Sequence, residues 1–84
     1  MQTNCALYVK VVTNKRLNML RVLATFDNTK RNTEGQVIVT QRNCIFASGD
    51  LCNVNASAEA QAYEIQRSIN YAKAQFNTSN IILI

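Results

Sequence analysis

At 84 residues the chain has room for one domain with a single modest core, and its nine basic against five acidic side chains leave a net charge of +4. Apolar residues make up 48% and charged residues 17%, which excludes a disordered chain and points to a globular fold. No apolar run reaches membrane-span length and Met1-Gln2-Thr3-Asn4 is not a secretory signal, so a cytoplasmic location without a membrane partner is expected.

Residues 5–13 alternate with period two, placing Leu7, Val9 and Val11 on one face of a first strand and Tyr8, Lys10 and Val12 on the other. After the polar Asn14-Lys15-Arg16, alternation resumes over residues 17–26. Leu20, Val22, Ala24 and Phe26 face one way, and Met19, Arg21, Leu23 and Thr25 the other. Residues 27–35 hold turn chemistry and are expected to be the long tip of a second hairpin. A third strand begins at Gln36 with Val37 and Val39 inward and Ile38, Thr40 and Arg42 outward. Its phase then slips, and a bulge at residues 41–43 returns Phe46 to the core face before Gly49-Asp50 closes the strand.

Near Asn55 the apolar period changes to three or four. Ala58, Ala62, Ile65, Ile69, Ala72 and Phe76 form one helical stripe, with Asn55 or Ser57 as the cap, Glu59 in the first turn and Lys73 near the far end. Asn77-Thr78-Ser79-Asn80 stops the helix, and Ile81-Ile82-Leu83-Ile84 is expected to return to the sheet as a short strand. The expected fold is one α+β domain over residues 1–84. It is a two-layer β-β-β-α-β sandwich, an antiparallel sheet with one long helix on one face.

Catalysis needs a nucleophile with a base, a metal, or a carboxylate pair with separated pKa values, and no such constellation is present, so a non-enzyme without cofactor is expected. Histidine is absent and Cys5, Cys44 and Cys52 are not in paired Cys-x-x-Cys motifs, which leaves no zinc ligand set. Reduced thiols are the expectation, with a Cys44 to Cys52 disulfide as the alternative.

Two surfaces remain. If Leu7, Val9, Leu20, Val22, Val37 and Val39 pack under the helix, then Tyr8, Lys10, Arg21, Thr25, Thr40 and Arg42 share an open sheet face. Lys15-Arg16 and Lys30-Arg31 carry the charge to the hairpin tips, and residues 1–47 hold seven basic against two acidic side chains. Such cations also serve as ordinary solubilising charge. Val12, Met19, Leu23 and Ile38 lie among them, however, and an apolar floor suits a partner, including a second copy of the chain. The other surface is the outer side of the helix, where Tyr63, Arg67 and Tyr71 follow at four-residue spacing. Tyrosine and arginine dominate binding hot spots, although a local stack covering the helix is the plainer alternative.

Strands first, then the helix Ser57-Ala-Glu-Ala-Gln-Ala-Tyr-Glu-Ile-Gln-Arg-Ser-Ile-Asn-Tyr-Ala72 and a terminal strand make a size and layout that resemble small phage anti-defence proteins of the anti-CRISPR kind. The resemblance covers the whole chain as architecture. It implies a phage-encoded inhibitor that occludes a host protein or ribonucleoprotein complex handling nucleic acid, and the surfaces themselves point to Tyr63, Arg67, Tyr71 and Tyr8 as the residues of direct contact. Many such proteins mimic DNA with acidic surfaces, and the basic charge here departs from that pattern. It implies instead a grip on acidic or aromatic protein surface, or on guide or target nucleic acid within the complex. The basic open face also suits the alternative of a DNA-binding module, with Lys10, Arg21 and Arg42 on phosphates, and the layout resembles in topology alone the arm-binding domains of phage and transposon integrases.

Overall fold

The computed structural model describes residues 5–84, so the reading of residues 1–4 as no secretory signal lies outside the described residues. The elements are β1 (Leu7–Asn14), β2 (Met19–Thr25), β3 (Phe46–Ala47), α1 (Ala58–Phe76) and β4 (Ile81–Leu83), forming a four-stranded sheet of order β3-β2-β1-β4 with the helix packed on it. This is the β-β-β-α-β layout expected from the change of period. β1 and β2 form an antiparallel hairpin running from Tyr8↔Thr25 to Asn14↔Met19, its turn closed by Asn18 in the left-handed region at φ 54°.

The sheet is mixed, because β4 pairs parallel to β1, with Leu7 opposite Ile81 and Val9 opposite Leu83. The direction follows from the helix. β3 is antiparallel to β2, so α1 leaves one edge of the sheet and crosses its face to deliver β4, running the same way as β3, to the other edge.

Beneath the helix lie Leu7, Val9, Val22, Ala24 and Phe46, closed by Ile69 and Ala72. Phe26 and Phe76 meet edge to face at 5.8 Å beside this core. Ser57 caps the helix by accepting the Ala60 N–H at 3.1 Å, and Asn77, left-handed at φ 51°, ends it. Of the expected apolar stripe, Ile69 and Ala72 are buried and Ile65 and Phe76 half-buried, whereas Ala58 and Ala62 are exposed. The first turns are instead tied down by Gln61, whose Nε2 donates to the carbonyls of Val54 and Ala56, both at 2.9 Å.

The main departure from expectation concerns residues 36–45. Val37 and Val39 do not pack under the helix. They lie on the opposite face of the sheet, where with Leu23 they form a second small core flanked by Tyr8, Val12 and Cys44. The phase slip at residues 41–43 is a full turn, not a bulge: Asn43 Oδ1 accepts the Thr40 N–H at 2.6 Å and Cys44 N–H donates to the Thr40 carbonyl at 3.0 Å. The chain is thereby turned back to the edge of β2 and reaches Phe46, leaving a strand of two residues where a long one was expected. The physical reason is Leu23, only 2% exposed, whose side chain on that face would otherwise meet water.

Candidate functional site

The covering segment changes what the basic face is. Thr25 is buried, and the cations of the strand half divide between two clefts and open solvent. One cleft, of about 600 Å³ at the turn end of the β1–β2 hairpin, is lined by Lys15, Arg16, Arg21, Val12, Leu23 and Val39. Another, of about 410 Å³ beside β4, is lined by Tyr8, Lys10, Arg31, Ile38, Leu83 and Ile84. Lys30 and Arg42 are exposed. Lys30 and Arg31 occupy the base of their loop, since the Ile38 N–H donates to the Lys30 carbonyl at 2.9 Å and the turn itself is made by residues 32–36.

Two of the cations are already engaged. Arg21 Nε donates to Asp50 Oδ1 at 2.7 Å. Pairing along the outer edge of β2 explains the meeting: Ser48 N–H bonds the Val22 carbonyl and Leu51 N–H the Leu20 carbonyl, so Gly49 and Asp50 bulge out between them. Gly49 permits this with φ 76°, a backbone shape most side chains resist. The Arg21 guanidinium holds the Asp50 carboxyl below its ordinary range, helped by Asn14, while desolvation opposes the shift; Arg21 is in turn pushed up by Asp50. Asp27 is likewise held low, first by the Thr29 hydroxyl and then by the Thr29 N–H. Arg31 acts as a clasp for its own loop, donating from Nε to the Asn28 carbonyl at 3.0 Å and from Nη1 to the Gly35 carbonyl at 2.7 Å.

The helix-side residues are arranged differently from a straight outward line. A step of four residues advances about 400° around a helix, so the row rolls by about 40° per step. Tyr63, 66% exposed, points away from the protein, while Tyr71 rolls down until its ring lies 6.0 Å from that of Phe46. Tyr71 remains 66% exposed, so this contact covers one part of the ring and leaves the rest to solvent. Between helix and β3 opens a groove of about 690 Å³, floored by Phe46 and Leu51 and walled by Glu64, Arg67, Ser68 and Tyr71. Arg67 lies 3.9 Å from Glu64, a loose surface pair that leaves its guanidinium available.

Alternation assigns Phe46 to the core and Leu51 to no element, and nothing in their local pattern marks either as a groove floor. Tyr8 belongs to the β4 cleft, on the other face of the sheet from this groove. Cys44 and Cys52 are separate thiols, and no cluster of three or more potential metal ligands forms among the described residues. Among the described residues, no helix is long and apolar enough to cross a membrane. Compared with protein-family models, curated proteins and solved structures, the chain matches none.

Proposed function

We propose that this chain is a non-enzymatic binding protein that inhibits a nucleic-acid-handling complex of the CRISPR type by direct protein contact. The groove beside α1 is the working surface. The observation that carries the contact reading is Tyr71, seated against Phe46 yet largely exposed, next to Arg67 and above an apolar floor. A tyrosine so supported loses little further freedom on binding and offers a large apolar face with a polar end. The partner class rests on the likeness in size and layout to the phage anti-defence proteins. Against a phosphate-binding sheet face stands the engagement of Arg21 by Asp50 and of Arg31 by backbone carbonyls.

Lys15, Arg16 and Arg21 at one cleft favour a second reading, a DNA-binding module. The two separate cleanly in one experiment: capture of partners from the native host before and after nuclease treatment, with variants. Nuclease-resistant recovery of one complex is expected, weakened roughly thirtyfold by Tyr71→Ala, about 2 kcal/mol, and unchanged in Arg42→Ala. Submicromolar affinity for duplex DNA at physiological salt, lost in Arg16→Ala and Arg42→Ala but kept in Tyr71→Ala, would assign the protein to DNA instead.

A further inference from the structure

A second surface lies at the opposite edge of the sheet from the helix groove. The Leu7 N–H donates to the Asn80 carbonyl at 2.8 Å and the Ile84 N–H to the Val9 carbonyl at 2.9 Å, so the backbone of residues 80, 82 and 84 faces β1. By the two-residue period of a strand, the N–H and C=O groups of Ile81 and Leu83 face outward, where the sheet order gives β4 no further neighbour among the described residues. The side chains there are unguarded as well: Leu83 is 68% exposed and Ile82 and Ile84 are exposed too, with no charge, proline or bulge in the strand. Those are the devices by which strand edges normally discourage pairing.

Beside this edge is the cleft holding Lys10 and Arg31. Lys10 continues the β1 register opposite Ile84, and among the described residues neither cation takes part in an ion pair. With Nε and Nη1 of Arg31 given to carbonyls, its Nη2 has no protein acceptor among the described residues.

We propose that β4 takes an extended segment of a partner protein as a fifth strand, and that the segment alternates acidic with apolar residues. Its outward backbone would bond Ile81 and Leu83, its acidic side chains would turn toward Lys10 and Arg31, and its apolar ones would lie on Leu83 and Val11 across the helix-side face. Strand spacing sets the added strand about 10 Å from β1, a gap that a lysine and a glutamate reaching toward each other over Ile84 can span. Charge complementarity favours this occupant over a second copy of the chain. Pairing β4 with its own copy would bring isoleucine against isoleucine and leave Lys10 and Arg31 without counter-charge.

The probe is a fluorescent synthetic peptide in which glutamate and valine alternate, titrated against the full chain at physiological ionic strength and followed by anisotropy. Its control has the same composition in two blocks. Saturable binding of the alternating peptide is expected, with the block peptide weaker. Leu83→Pro removes one outward amide and none of the bonds to β1, and is expected to weaken binding about tenfold, as is Lys10→Glu. Leu83→Ala, which keeps the amide, loses less than Leu83→Pro. Lys10 is exposed, so its variant tests the charge even if the proline variant does not fold. Equal affinity for both peptides, no binding, or indifference to Lys10→Glu would overturn the proposal. So would dimerisation in sedimentation that Leu83→Pro abolishes, which would give the edge to a second copy.

Discussion

Arg21 and Asp50 lie 29 positions apart and meet because the chain bulges between two stretches of pairing along β2. With the Asp50 carboxyl held low by Arg21, the pair favours the folded state fully above the carboxyl's unfolded pKa of about 3.9. That contribution is lost as pH falls through the lower folded value. Thermal melts should therefore show Asp50→Asn less stable than the parent at neutral pH, with the gap closing as pH falls below the carboxyl's unfolded pKa. A gap that persists undiminished in acid would mean that the carboxylate charge is not what Arg21 recognises. Asp27, lowered in the same direction by Thr29, adds to the parent's acid sensitivity but is common to both proteins. This pair was invisible in the sequence, where Asp50 reads only as a turn residue after Gly49. No local pattern tells a turn carboxylate which distant cation it will face.

Among the elements, the segment between β2 and β3 alters the architecture most, because it covers the face that alternation alone leaves open. Leu23 with Val37 and Val39 forms a core of its own. Leu23→Ala should cost about 2–5 kcal/mol in urea unfolding, as for a buried leucine elsewhere. Leu17→Ala, at a position 49% exposed, should stay within about 0.5 kcal/mol. If the two cost alike, the segment does not cover the sheet. The helix and the β1–β2 hairpin were legible in the sequence because each has a sustained period of its own, and the returning β4 because four consecutive apolar residues are too few for a helix and too apolar to be left in solvent. Residues 36–45 misled for the same reason: Val37 and Val39 carry strand alternation, and a short alternating run does not say to which face of the sheet it belongs. The break in phase at Gln41 was the local sign that the run ended there, and Asn43, which knits the turn, is the residue responsible. Of the two candidate surfaces, the helix row was legible as residues but not as a groove, since its floor comes from Phe46 and Leu51 on other elements.

Over the whole molecule, stability is expected to be uneven, because hydrogen bonding to neighbours is. β2 is paired along both edges, with β1 on one side and with residues 45–53 on the other. β1 is flanked by β4 only as far as Val9, whose carbonyl takes the Ile84 N–H. The outward amides of Val11 and Thr13 therefore lack the cover that Leu7 and Val9 have. Native-state hydrogen exchange should find Leu20, Val22 and Ala24 among the slowest amides and Val11 and Thr13 fast, despite the shared strand. Uniform protection along β1 would show that its edge is covered beyond what β4 supplies.

The parallel pairing of β4 with β1 also governs how the protein answers to force. Tension applied through residue 5 and residue 84 pulls these neighbouring strands in opposite senses along their length. The bonds from Leu7 to Asn80 and from Ile84 to Val9 are then loaded together in shear, whereas an antiparallel pair held at the same positions would open one bond at a time. The short strand thus acts as a mechanical clamp on the fold, and its rupture sets the unfolding rate under load.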